Sequence, residues 1–206
     1  ISELAQCRLW VRFDFQQVLD EKLGERGSWK TLAVTVPDGM CVPESYLSAC
    51  RQIADYFVSA GEMSRTEAEE RLTRITGRMA RLRRWTAERI DAAGLRNVPV
   101  LASGHQAAFC RWLGLRVPAT FSGADTAGAR EIDRVVSAGE ATGAGILVAN
   151  EPEGRRLADA LADRLQARVV VFANFPEPEK EHAFDRLVRR NLEALLAVVP
   201  SNPEKR

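Results

Sequence analysis

The sequence predicts an α/β protein, a parallel sheet wrapped by helices and joined by one long helix to an earlier, smaller α/β region. Three observations predict it. From Val98 onward, strand-length apolar runs alternate four times with amphipathic segments. Before that, Leu72, Ile75, Met79 and Leu82 fall at spacings of 3, 4 and 3, one apolar stripe on a helix. The composition, 46% hydrophobic and 28% charged over 206 residues, is that of a globular chain able to bury a core.

Each element has its own warrant. Cys7–Phe15 partly alternates and is rich in aromatic and β-branched residues, as a strand is. A short helix is expected over Gln16–Leu23, ending at Gly24. A second strand covers Lys30–Val36 and stops at the turn Pro37-Asp38-Gly39. Pro43, tolerated in a first turn, opens a helix to Val58. Ser64 and Glu67 form an S-x-x-E capping box for the longest helix, which runs to Ala93 with Gly94 just beyond its end. At ~1.5 Å per residue this spine is about 45 Å long, more than a small domain needs.

The strands expected next are Val98–Ala102, Arg116–Phe121, Gly145–Asn150 and Arg168–Ala173. The helices between and after them are Gln106–Leu113, Ala127–Thr142, Glu153–Leu165 and Glu179–Val199. Ligands of such sheets bind outside the carboxyl ends of the strands. Those ends are Ser103-Gly104-His105, Ser122–Thr126, Asn150-Glu151 and Asn174-Phe175.

Charge and composition exclude several functions. Lys and Arg number 29 against 28 Asp and Glu, so nothing marks a nucleic-acid partner. Arg81, Arg83 and Arg84 are interleaved with acids and read as a solvated helix face. No apolar run reaches the length of a membrane span. The dinucleotide fingerprint, the phosphate loop and the G-x-S-x-G elbow are absent.

The residues able to carry site chemistry are few. There are two histidines, His105 and His182, and four cysteines, Cys7, Cys41, Cys50 and Cys110, with no C-x-x-C spacing. His105, at a strand end, reads as a metal ligand, a general base or a histidine bonding local backbone. His182 reads as exposed and idle. Cys41 reads as a small buried hydrophobe first, then as a disulfide partner or a soft metal ligand.

Val98–Val199 resembles the carboxy-terminal lobe of the solute-binding proteins that serve zinc and manganese ABC transporters (cluster A-I). VPVLASGHQAAFCRWLGL (98–115) is similar to that family's strand and histidine motif, H-x-A-F-x-x-F/W, followed by Leu-Gly-Leu. ADTAGAREIDRVV (124–136) stands where the family has E-P-S-x-x-E-L. GILVANEPEGRRLADALADRLQARVVVF (145–172) and RLVRRNLEALLAVV (186–199) are similar to its later strands, loop and terminal helix. Residues 1–23 resemble the chain after the first metal loop, and 43–57 the helix after the H-x-W-x-D-P motif.

The resemblance implies two Rossmann-like lobes with parallel sheets, joined by the spine helix, the amino-terminal lobe being incomplete in this chain. The expected division is 1–60 for the partial lobe, 61–94 for the spine, 95–200 for the carboxy-terminal lobe and 201–206 for the tail. Family members hold one metal between the lobes through three histidines, or two and a Glu, plus an Asp or Glu. The first ligand loop falls before Ile1, and Ile1–Leu4 reads as a helix tail, so a fragment without its signal peptide is expected. The second histidine position falls at Asp38, with Cys41 able to take its place. The third matches His105, and the carboxylate matches Asn174.

The implied metal set is therefore His105, Asp38, Asn174 and Cys41, with zinc or manganese as the bound solute. The implied protein is an extracytoplasmic monomer, not an enzyme, that captures a divalent ion in the inter-lobe cleft and delivers it to a membrane permease. Two other expectations stand beside it: a scaffold that has lost its metal and acts in protein interaction or as a transport accessory, and an enzyme using His105 as a base.

Overall fold

The structure, a computed structural model, describes residues 8–23, 29–39, 41–177 and 181–199. The expectations that rest on Ile1–Leu4, Cys7, Gly24, the expected helix start at Glu179 and the tail lie outside these residues. No helix among the described residues is long and apolar enough to cross a membrane.

The chain divides into two compact units. The first comprises the described residues up to Asp38 together with Pro43–Met79. Its strands β1 (Leu9–Phe13) and β2 (Lys30–Val34) pair in parallel, from Leu9 opposite Lys30 to Phe13 opposite Val34. The strand expected to reach Phe15 stops at Phe13. Asp14–Gln16 turn as a 3₁₀ segment, with the Phe13 N–H bonded to Gln16 Oε1 at 3.0 Å. Helix α1 (Val18–Leu23) follows. The Arg12 guanidinium donates to both Asp20 oxygens, at 2.8 and 2.6 Å, and holds that carboxyl below its ordinary range.

Helix α2 (Pro43–Ser59) is tied to the residue after β2 by Gln52. Its Oε1 accepts the Thr35 N–H and its Nε2 donates to the Thr35 carbonyl, both at 3.0 Å. Helix α3 (Arg65–Ala92) is the expected long helix. Ser64 Oγ accepts the Glu67 N–H at 3.1 Å, as the capping sequence requires. Its residues divide between the units after Met79.

The second unit holds Gly39, Cys41, Val42 and the described residues from Ala80. Its strands are β3 (Leu101–Ser103), β4 (Thr120–Phe121), β5 (Ile146–Asn150) and β6 (Arg168–Phe172). They form one all-parallel sheet in the order β4-β3-β5-β6. The helices are α4 (Ala107–Trp112), α5 (Ala129–Thr142), α6 (Arg156–Leu165) and α7 (Ala183–Val198). All five residues of β5 are buried, as a central parallel strand covered on both faces must be. Leu101, Val135, Val136, Leu147 and Leu161 form the core on one side of it.

Most boundaries fall within two residues of expectation, and the following differ by more. The strand expected over Arg116–Phe121 is only two residues long, because Pro118 has no N–H to give a ladder; Arg116 instead bridges to Pro99. The helix expected from Glu153 begins at Arg156, after a 3₁₀ turn over Glu151–Glu153 that contains Pro152 and ends at Gly154, φ 72°. The strand expected over Val98–Ala102 is formed at Leu101–Ser103.

Gly139 on α5 is where two layers meet most closely. A Cβ there would lie 2.8 Å from Leu165 Cδ1 and 3.0 Å from Leu101 Cδ1. Gly139→Ala is expected to destabilise the protein by about 1–3 kcal/mol through overpacking, read as a lower urea midpoint at unchanged m-value.

Candidate functional site

The sheet order places a topological switch point between β3 and β5, where successive connections leave in opposite directions. The polar residues that end these strands meet there. Gln106, at the start of α4, is fully buried, and its Nε2 donates to Asn150 Oδ1 at the end of β5 at 3.0 Å. The same Nε2 donates to Asn174 Oδ1, just beyond β6. Gln106 Oε1 is buried with no protein partner. An unpaired buried carbonyl is costly and marks a place where another group can bind.

Cys41 completes the cluster. Its Sγ lies 3.3 Å from the Ala173 carbonyl, 3.7 Å from the Asn174 carbonyl and 4.0 Å from Asn174 Oδ1. The residue is 4% exposed. Burial pushes its thiol up to about 12, so it is a neutral S–H at physiological pH. It is a free cysteine, as are Cys50 and Cys110. The segment beyond β6 is fixed from α7. Asn191 accepts the Ala173 N–H and donates to the Ala173 carbonyl, each at 2.9 Å, and is 1% exposed.

The four expected site residues are thus placed differently. Cys41 and Asn174 are brought together. Asp38 is exposed and belongs to the first unit. His105 sits beside the buried cluster, but its ring is turned outward, its side chain 68% exposed. Its Nε2 lies 3.5 Å from Glu153 Oε1. Among the described residues, no three His, Cys, Asp or Glu side chains converge as a metal-binding set.

Gln106, Asn150 and Glu153 were not among the expected site residues. A signal for Gln106 existed: H-x-A-F, counted back from Ala108-Phe109, falls on Gln106 rather than on His105. Asn150 is the one polar residue closing an otherwise apolar strand, ILVAN.

Polar side chains gathered at the strand ends of a parallel sheet stand where such sheets bind ligands. The class of protein comes from the family comparison. Residues 42–198 match the family described as ZnuA, zinc-uptake complex component A, periplasmic, and the chain belongs to that family. Its members are non-catalytic components of extracytoplasmic metal transport, so this is a binding protein of that compartment rather than an enzyme.

Several solved structures share the fold. One is the laminin-binding protein Lmb of Streptococcus agalactiae, described as an adhesin with metal-transporting activity. It matches with TM-score 0.75 at 11% identity over 96% of this chain and 82% of its own. The Cd-bound periplasmic metal-binding protein of Candidatus Liberibacter asiaticus matches with TM-score 0.75 at 10% identity, over 96% and 83%. FpvC of Pseudomonas aeruginosa, solved with Mn²⁺, matches with TM-score 0.72 at 12% identity, over 93% and 79%. No curated protein matches the chain.

Asn191→Ala removes the side-chain acceptor of the Ala173 N–H, while the Ala173 carbonyl keeps the Cys41 thiol. It is expected to cost about 1–3 kcal/mol for the N–H left unpaired, measured by chemical denaturation.

Proposed function

We propose that the chain is the extracytoplasmic solute-binding component of a zinc or manganese ABC transporter, capturing the ion at the strand ends of its carboxy-terminal sheet and presenting it to the membrane permease. The observation that carries this reading is the convergence of Cys41 Sγ with Asn174 beside the unpartnered Gln106 Oε1. Asn174 stands at a position the family resemblance assigns to a ligand, and Cys41 can take the place of the second histidine, which the resemblance puts at Asp38. Asp38, three residues before Cys41 in the chain, is the further donor proposed. A sulfur donor favours zinc over manganese, which prefers oxygen.

Binding through Cys41 requires the thiol proton to leave, because a coordinating thiol is deprotonated. With the proton-bearing form favoured up to about pH 12, one proton is released for each ion bound. The apparent zinc affinity is therefore expected to rise about tenfold per pH unit between pH 6 and 8. Cys41→Ala abolishes both the tight binding and its pH slope. Asn174→Asp, which supplies a carboxylate, strengthens binding.

A second reading, a metal-free scaffold acting as a transport accessory, is favoured by the neutrality of the Cys41, Gln106, Asn150 and Asn174 cluster. Calorimetric titration with zinc and with manganese separates the two. Dissociation constants weaker than about 1 µM, a ΔG° weaker than about −8 kcal/mol, for both ions rule out capture and leave the scaffold.

A further inference from the structure

Beside the buried cluster but facing away from it, His105 lies with Glu153 on the wall of a cavity of about 320 Å³ at the ends of β3 and β4. Ser122, Thr126, Glu131 and Arg134 line it with them. Both carboxylates are held in place. Ser103, itself fully buried, donates its hydroxyl to Glu153 Oε2 at 2.5 Å. The Ser122 N–H donates to Glu131 Oε1 at 2.6 Å. The cation on the rim, Arg134, gives one N–H to the Thr120 carbonyl at 3.1 Å. The Glu153 oxygen not taken by Ser103 is the one that faces His105.

We propose that His105 Nε2 and Glu153 Oε1 form a second, peripheral site for a divalent transition-metal ion in this cavity, with water completing the shell. The 3.5 Å between the two atoms is the bite such an ion needs. Tetrahedral zinc, with donors about 2.1 Å away, separates adjacent donors by about 3.4 Å. Imidazole with carboxylate is a donor pair that transition ions accept over calcium or magnesium. Ser103 fixes the Glu153 carboxylate as an outer partner of a metal ligand does. With only two direct protein donors the site is weaker than a closed one, which suits a position that collects ions and releases them. That collecting role rests on the capture reading above; the binding does not.

The chain carries its own control. His182 Nε2 lies 3.7 Å from Glu181 Oε1, a similar separation on an exposed helix start. The test is a zinc chloride titration of the full chain with ¹⁵N-labelled imidazoles, followed by NMR. The expected result is a His105 response with a midpoint at least about tenfold below that of His182, lost in Glu153→Gln and unchanged in Cys41→Ala. Equal midpoints for the two histidines, or a His105 response untouched by Glu153→Gln, overturn the proposal, since either means adventitious zinc on an exposed ring. His105→Asn alters an exposed side chain and keeps the test open if Glu153→Gln unfolds. In calorimetry it must remove the weaker zinc equivalent, and retention of that equivalent also overturns the proposal. Failure of the capture reading looks different: no proton release and no effect of Cys41→Ala, with the His105 response intact.

Discussion

The strand Ile146–Asn150 is buried along its whole length, and the carboxy-terminal unit is organised by the need to keep it so. Apolar side chains on both faces draw helices onto both sides of the sheet, and parallel neighbours satisfy its backbone. The constraint changes where the strand ends. There the chain leaves the apolar layer while still shielded from water, and every polar group it carries needs a partner. Asn150, Gln106, Asn174 and Asn191 meet that need by bonding one another or the backbone. The place best suited to a ligand is thus also where the fold has most polar groups to satisfy, and Gln106 Oε1 is left over from that matching.

The two candidate positions divide the same strand-end region by chemistry. Neighbours in sequence, His105 and Gln106 turn opposite ways, one to an open cavity with carboxylates, the other to a closed cluster of amides and a thiol. Neutral, buried groups cost little to hold together but attract a dication weakly. Charged, exposed groups attract it more readily, yet surrender part of that attraction to solvent. Family membership establishes the transport context.

Much of the fold was legible in the sequence because it follows from short-range rules. The 28-residue helix α3 announced itself through its stripe and its Ser64–Glu67 cap, and β5 through an apolar run with no polar interruption. Pro118 shortened β4 by a local effect that an apolar pattern does not register. The site was less legible. Gln106 meets residues 44 and 68 positions away, and a glutamine at a helix start looks like any solvated residue until the sheet order brings those strand ends together. The eye goes first to His105 because histidine is rare here and chemically versatile, but residue type carries no information on the direction of a side chain.

The buried free thiols carry a consequence for the compartment in which the family works. In an oxidising environment an accessible sulfhydryl is soon converted to a disulfide or a sulfenic acid. Cys41 and Cys110 are 4% and 0% exposed, so the native fold is what protects them. That protection does not exist while the chain is still folding. Maturation outside the cytoplasm is thus a race between closing the carboxy-terminal core and oxidation of thiols it has not yet covered. Slower folding is penalised there through covalent chemistry, even where the final stability is unchanged.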